Sequence, residues 1–262
     1  MKQHGRRLGE RLIYTRDVLY ELVSRDLKVR YKRSVLGIVW SLLVPLAQLA
    51  VLYLVFNKLL PLNIPHYTSF LFTGILPWTW FQTSLVSGSG AIVENRDLVR
   101  QAGFPVAVLP TVTVISQLIH FLLALPILFA FLALDGYPFT EALVALPVVI
   151  VVQGLFILSL GYIFAAFQVR FRDVQYLLGI ALFLLFYLTP VFYDGGGLPA
   201  GLRPYYELNP MVHLLEAYRD ILTRGEMPAA MPVLVVTSVS AAVLALSYVG
   251  FLRARNRFVE EM

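Results

Sequence analysis

The sequence contains no cysteine in 262 residues, which excludes disulfide bridges and metal sites built on thiolate ligands. Its four histidines lie far apart and have no metal-ligand spacing. Charged residues make up only 14% of the chain and hydrophobic residues 58%, whereas a soluble domain carries about 25% charged residues. The composition therefore excludes a protein whose whole surface faces water.

The sequence also lacks motifs for nucleotide use or catalysis. It has no GxxxxGK[ST] phosphate-binding loop and no nucleophile–base–acid set. The run Asp194-Gly195-Gly196-Gly197 precedes no Lys-Ser/Thr pair, so it is interpreted as a flexible loop. Proton-coupled carriers usually keep ionisable residues inside the membrane, and only His120 lies deep in an apolar run here. If the chain transports, another chain must supply the energy.

Charged residues divide the chain into long uncharged runs. Each run contains a stretch of about 20 apolar residues, the length of helix that crosses a bilayer core. The sequence therefore predicts an all-α integral membrane protein with a single transmembrane domain over residues 1–262. The six predicted transmembrane helices are residues 35–56, 68–90, 106–133, 142–167, 174–192 and 229–252.

The distribution of Lys and Arg predicts the orientation. Ten of the 21 basic residues lie in residues 1–33. Placing both termini in the cytoplasm puts 17 basic residues inside and 4 outside, as the positive-inside rule requires. Residues 193–228 are then an external segment, and residues 253–262 are a cytoplasmic tail.

A basic cluster stands directly before the first apolar run. In RDLKVRYKRSVLGIVWSLLVPL, residues 25–46, its members are Arg25, Lys28, Arg30, Lys32 and Arg33. Upstream, one face of a helix would carry Leu12, Leu19, Leu22, Val23 and Leu27. The pattern predicts an amphipathic helix over residues 1–33 in the membrane interface, with the cluster beside anionic headgroups. Two interpretations remain open: anchoring alone, or anchoring combined with holding a cytoplasmic partner.

Two loops on the predicted cytoplasmic side carry charge. The first is followed by Gly103 and Pro105, which favours one or two helical turns along a surface. Its candidate residues are Glu94, Asn95, Arg96, Asp97, Leu98 and Arg100. The second contains Arg172 and Asp173. The alternative for the first is an ordinary solvated loop, and the alternative for the second is that its charges end the fourth span at the headgroups.

A second amphipathic helix is predicted on the external side, before the last span. Asn209 fits its N-cap, Pro210 its first position and Gly225 its C-terminal cap. Its apolar stripe comprises Met211, Leu214, Leu215, Tyr218, Ile221 and Leu222. The helix rests on the membrane or dips back between the spans.

Aromatic residues make up 13% of the chain. Aromatic rings present flat apolar faces to a ligand, so the rings of the spans are candidates for lining a substrate path. The candidates are Trp40, Tyr53, Trp80, Phe186, Tyr187 and Tyr193. The alternative is an interfacial aromatic belt with lipid-facing bulk.

The segment at residues 25–46 resembles the entry segment of type-2 ABC exporter permeases that export O-antigen, capsule or teichoic acid polysaccharides. Four later segments resemble the same family in the same order. They are ENRDLVRQAGFPVAVLP at 94–110, VRFRDV at 169–174, LTPVFY at 188–193 and ELNPMVHLLEAYRDILTRG at 207–225. The resemblance covers nearly the whole chain.

The resemblance implies a homodimer in the bacterial inner membrane, bound to two copies of a separate ATPase that holds ATP and Mg²⁺. No cofactor and no nucleic acid is expected on this chain. The substrate would be a polysaccharide on a polyprenyl diphosphate lipid. The two charged loops would be coupling helices seated in the ATPase. The helix with Asn209, Pro210, Tyr218 and Arg219 would be a re-entrant external gate.

Two other functions remain open. One is a drug or lipid exporter of the same class. The other is an integral membrane enzyme acting on lipid-linked sugars, which would need acidic residues at a membrane face to bind a metal and diphosphate. The candidate acids, Glu94, Asp97 and Asp173, are few and are interleaved with Arg, which favours the exporter.

Overall fold

The computed structural model describes residues 2–31, 39–197, 199 and 201–261. Lys32 and Arg33 of the basic cluster, and the side chains of Arg30 and Trp40, lie outside the described residues. The described residues form helices joined by turns and loops, and they include no strand. The all-α class predicted from the uncharged runs is therefore confirmed.

The α-helices are numbered in chain order. They are α1 (Lys2–Tyr31), α2 (Val39–Tyr53), α3 (Tyr67–Glu94), α4 (Arg96–Val99), α5 (Val108–Leu134), α6 (Leu146–Arg170), α7 (Val174–Leu188), α8 (Arg203–Glu207), α9 (Pro210–Arg219) and α10 (Ala230–Glu261). Helices α2 and α9 each continue into a π-helical stretch, Leu54–Leu59 and Asp220–Arg224. Short 3-10 turns occupy Glu141–Ala145, before α6, and Gly195–Gly197.

Four helical segments within the described residues are long and apolar enough to cross a bilayer. They are Leu42–Leu59, Val108–Leu134, Glu141–Arg170 and Ala230–Arg255. Helix α7 is apolar but has 15 residues, and α3 has 28 residues of more polar composition. Among the described residues, length and composition alone therefore identify four spans and not the six that were predicted.

Helix α3 is the centre of the bundle. It packs against α2, α5, α6, α7 and α9, and most of its length is buried, including Phe72, Trp78 and Leu85. The Gln153 side chain of α6 donates a 2.8 Å hydrogen bond to the Pro77 carbonyl of α3. Because protein surrounds α3, its Ser, Thr and Gly residues face helix neighbours, and the helix does not need a fully apolar surface.

The bundle has two ends with different chemistry. The α4 end comprises the second half of α1, helix α4, the turn at residues 171–173 and the end of α10. The α9 end comprises residues 60–66, residues 135–140 and the segment from residue 189 to residue 225. A separate apolar cluster underlies the α4 end and includes Leu22, Ile92, Val99 and Phe258.

Helix α10 continues past the predicted end of the last span. The apolar run stops at Arg253, but the helix runs on to Glu261. Phe258 on this extension is buried in the apolar cluster of the α4 end, 5.2 Å from the ring of Phe251 at the end of the span. The predicted tail at residues 253–262 is therefore part of the bundle as far as its described residues extend, because Phe258 packs there.

Candidate functional site

Helix α4 is a single turn that separates polar from apolar side chains. Glu94, Asp97 and Arg100 are exposed, whereas Val99 is buried and Leu98 packs against the apolar cluster of the α4 end. Gly103, with φ of 83°, turns the chain back toward α5; this conformation suits a residue without a side chain. The predicted helical turn is therefore present, and it presents charges outward.

Asn95 connects α1 to the loop that carries α4. Its Oδ1 accepts a 2.8 Å hydrogen bond from Arg25 Nη2, and its Nδ2 donates to the Ala91 carbonyl at 2.9 Å. Asn95 therefore binds Arg25 of α1 and the last turn of α3 at the same time. In the described part of the predicted basic cluster, Arg25 therefore has a defined partner inside the chain.

The apolar face of α1 is covered unevenly. Leu22 is buried, and Leu19 and Val23 pack against the apolar cluster of the α4 end, while Leu12 is 67% exposed. The predicted stripe is therefore divided: its second half packs against protein, and Leu12 remains available to a membrane or a partner. Arg25 and Lys28 stay exposed beside it.

Two glutamines shape the turn at residues 171–173. Gln168 Nε2 donates to the Arg172 carbonyl at 2.9 Å, and Gln168 Oε1 accepts from the Gln175 backbone N–H at 2.7 Å. Gln175 Nε2 donates to the Val86 carbonyl of α3 at 3.2 Å. The network fixes the backbone while the Arg172 and Asp173 side chains stay exposed. Sequence reasoning missed both glutamines, because their bonding partners cannot be recognised from local spacing.

At the α9 end, the predicted cap of α9 is present. Asn209 Oδ1 accepts from the Met211 backbone N–H at 3.0 Å, and Pro210 occupies the first turn. Gly225, with φ of 69°, terminates the π-helical stretch that follows α9. Sequence reasoning placed both ends of this helix, because capping depends on neighbouring residues.

Arg219 lies in the interior at the α9 end. It is 1% exposed, and its Nη2 donates to the Pro190 carbonyl at 2.5 Å and the Val191 carbonyl at 3.1 Å. The guanidinium carbon lies 3.9 Å from the centroid of the Phe70 ring, within cation–π range. Burial lowers the pKa of the guanidinium to about 10, which leaves it protonated at neutral pH.

Three further contacts hold the buried segment at residues 189–192. The Tyr67 hydroxyl donates to the Phe192 carbonyl at 2.8 Å, and Asn209 Nδ2 donates to Thr189 Oγ1 at 2.9 Å. Gly74 lets the backbone approach, because a Cβ there would lie well inside contact distance of the Val191 carbonyl oxygen. Sequence reasoning assigned no role to Tyr67 or Gly74 at this site, and the bonds join residues far apart in the chain.

The structure distributes the candidate channel aromatics among different environments. Trp80 is 2% exposed, stacks on Phe121 at 5.3 Å and donates from Nε1 to the Val114 carbonyl at 3.3 Å. Its prediction as a channel residue is corrected to core packing, since its neighbours cover the ring. Tyr53 also packs against the core, and Tyr218 of α9 is buried.

Two of the aromatic candidates share a cavity between α2, α3 and α7. Phe186 and Tyr187 line it with Phe183, Gln48 and Gln82, and its volume is about 440 Å³. Tyr193 lies elsewhere, at a cavity of the α9 end. Rings beside amide side chains suit contacts with sugars, whose faces are apolar and whose rims are polar.

The sequence matches a known family of membrane proteins over most of its length. The family model for ABC-2 type transporters matches residues 18–223, a range that contains α4, the turn at residues 171–173 and α9. The chain belongs to the ABC-2 type transporter family.

The similarity to named relatives extends over nearly the whole chain. This chain is 38% identical over 259 residues to the O-antigen export system permease protein RfbA of Myxococcus xanthus, and the match covers 98% of this chain and 99% of that protein. It is 30% identical to the Klebsiella pneumoniae protein of the same name over 94% of this chain and 95% of that one. It is 27% identical to the polysialic acid transport protein KpsM of Escherichia coli over 78% of this chain and 80% of that protein.

Proposed function

We propose that this chain is the permease subunit of an exporter that moves a lipid-linked cell-envelope polysaccharide, O-antigen in the first instance, across the bacterial inner membrane. The observation that carries the proposal is the end-to-end similarity to a protein named as an O-antigen export permease. The polyprenyl diphosphate lipid is proposed because the family resemblance implies it. The rings and amides of the α2–α3–α7 cavity are compatible with contacts to a sugar.

Helices α3 and α7 complete a proposed set of six spans. At about 1.5 Å per residue, the 28 residues of α3 exceed the thickness of a bilayer core. Its polar residues are compatible with a span because protein surrounds it. Helix α7 is short, but the buried segment at residues 189–192 continues its path, so the two together are long enough for one crossing.

The proposed orientation places the α4 end in the cytoplasm with both termini. The basic residues of α1 and of the end of α10 support this orientation through the positive-inside rule. The α9 end then faces the periplasm, and α9 is the proposed external gate.

The α4 end is the proposed docking surface for a separate ATPase. The sequence has no phosphate-binding loop, so ATP and Mg²⁺ are assigned to that partner. Glu94, Asp97, Arg100, Arg172 and Asp173 are all exposed, and charge-assisted hydrogen bonds from such residues suit contact with a soluble protein. The backbones of both loops are held by hydrogen bonds, and this rigidity would allow a movement of the ATPase to be transmitted to the spans.

A second copy of this chain is the proposed partner within the membrane. Apolar side chains along α2, α7 and α10 are exposed, including Val51, Tyr176 and Leu246. Two copies with one ATPase each, in contact with membrane lipids, would enclose a channel between them. The aromatic cavity of α2, α3 and α7 is the part of this chain best suited to border it.

A deletion strain with plasmid complementation tests the proposed function. Without the gene, surface polysaccharide is expected to disappear, and lipid-linked polymer should accumulate in the cytoplasm. The purified chain should hydrolyse no ATP, and hydrolysis should appear only when its cognate ATPase is added. Normal surface polymer in the deletion strain, or robust hydrolysis by the chain alone, would contradict the proposal.

A further inference from the structure

The α9 end contains a cavity that borders the proposed gate helix through Arg219. Its volume is about 650 Å³, within the range of pockets that hold small ligands. It lies on the opposite end of the bundle from α4. Its lining comprises Leu62, Asn63, Ile64, Pro65, Phe70, Tyr137, Tyr193, Asp194, Arg219, Thr223 and Arg224.

The lining has the composition of a carbohydrate site. Phe70, Tyr137 and Tyr193 provide aromatic rings, and Asn63 and Asp194 provide planar hydrogen-bonding groups. The C–H faces of a sugar pack on rings, while its hydroxyls need donors and acceptors around the rim. A lipid tail would gain nothing from the polar members, and a small ion would not need the rings.

Arg219 adds donors that the chain itself leaves unused. Its Nη2 binds two carbonyls, but Nε and Nη1 have no hydrogen-bond partner among the described residues. Buried polar groups are normally hydrogen-bonded. Arg224, in contrast, is paired with Asp220 and Glu216. Arg219 therefore brings a fixed, buried cation with spare donors to the border of the cavity.

One wall of the cavity is held in an uncommon backbone conformation. Asn63 and His66 have φ of 55° and 47°, in the left-handed region that few residues other than glycine adopt. His66 is held by Asp135, whose Oδ1 lies 3.5 Å from Nδ1, and by an edge-on contact with Tyr137 at 5.4 Å. Such conformations persist where the surroundings enforce them and often mark binding sites. The wall is therefore preformed.

We propose that this cavity binds a short segment of the exported glycan after it has passed the gate helix, with Tyr193 as a principal stacking surface. The inference rests on the proposed export function. A site of this kind would reduce backward sliding of the polymer between rounds of ATP hydrolysis, because each emerging segment gains contacts on the periplasmic side of the membrane.

Thiol protection tests the site in the full-length chain, purified with its cognate ATPase in lipid nanodiscs. Because the chain has no cysteine, Leu62→Cys introduces a single thiol at the cavity. The probe is the set of oligosaccharide fragments released from the host's surface polysaccharide by mild acid. Saturating fragments should slow maleimide labelling of Leu62→Cys. Leu208→Cys is exposed at the same end but outside the cavity lining, and its labelling should not change.

Variants of Tyr193 in the Leu62→Cys background show whether the ring is used. Tyr193→Ala should raise the fragment concentration that gives half-protection about tenfold, whereas Tyr193→Phe, which keeps the ring, should not. Unchanged labelling with fragments, or equal protection in the Tyr193→Ala complex, would overturn the site. Surface polymer in the deletion strain is scored separately: its persistence rejects the export function, and its loss without thiol protection rejects the cavity alone.

Discussion

The α4 end and the α9 end place their polar side chains in opposite ways. At the α4 end, Glu94, Asp97 and Arg172 are exposed, while Gln168 and Gln175 fix the backbone of the turn at residues 171–173. At the α9 end, Arg219 and Tyr67 turn inward and donate to carbonyls of residues 190–192. The first arrangement leaves charges available to a partner, and the second uses the Tyr67 hydroxyl and Arg219 Nη2 to hold the chain's own backbone.

This difference separates two kinds of importance. Arg219 and Tyr67 at the α9 end act through the stability of the buried segment, so their loss should be detected in the isolated protein. If the α4 end is the docking surface proposed above, the loss of an exposed charge there should appear only when the ATPase is present. Substitutions at the α9 end are therefore tested by thermal unfolding of the purified chain, and charge substitutions at the α4 end by binding of the ATPase.

The largest effect is expected from Arg219→Ala. It leaves two buried carbonyls without their donor, and each unsatisfied group costs about 1–3 kcal/mol. Thermal unfolding of the purified chain should therefore shift strongly downward. Arg203→Ala at the same end removes an exposed pair with Glu207, worth at most about 1 kcal/mol. Similar shifts for the two variants would contradict the assigned role of Arg219.

Gly74→Ala should destabilise next most, because its Cβ would overlap the Val191 carbonyl oxygen. Overpacking of this kind typically costs about 1–3 kcal/mol. Gly88→Ala is the matched control on the same helix, since the nearest atom to its Cβ is 3.9 Å away. The thermal midpoint should fall for Gly74→Ala and stay within error for Gly88→Ala. A fall for both would mean that α3 tolerates no added methyl group, and the destabilisation could not be assigned to the close approach of Gly74 and Val191.

At the α4 end, Asp97→Arg combined with Arg100→Glu reverses two exposed charges. The thermal midpoint should not change, whereas co-purified ATPase should fall about tenfold, because charge reversal places like charges together at an interface. Export should fall with it. Leu98→Asp, another test of this loop, is less selective, because Leu98 packs against its own chain. If the reversed variant binds the ATPase and exports normally, the loop that carries α4 is a solvated connector and not a docking surface.

The smallest effect is expected at the contact between Arg25 and Asn95. Asn95→Ala removes a hydrogen bond worth about 1 kcal/mol, and α1 should become more accessible to protease in the purified chain. Asn95→Asp keeps an acceptor for Arg25 and should restore protection. Equal digestion of the native chain and both variants would indicate that other contacts alone hold α1 in place.

Local patterns predicted what depends on neighbouring residues. The uncharged runs located the helices, and the Asn-Pro pair located the start of α9, because span length and capping are encoded over short distances. The interior position of Arg219 could not be predicted, since its partners lie 28 and 29 residues away. Trp80 illustrates the same limit: periodicity identifies an aromatic residue in a span but not the neighbours that cover it.

The central claim is that the α4 end faces the ATPase in the cytoplasm and the α9 end faces the periplasm. Single cysteines at Gln101, exposed beside α4, and at Leu208, exposed before α9, test it directly with an impermeant thiol reagent. In cells with a permeable outer membrane, Leu208→Cys should react at once. Gln101→Cys should react only after lysis, and bound ATPase should slow its reaction. Labelling of Gln101→Cys in intact cells, with Leu208→Cys protected, would contradict the account.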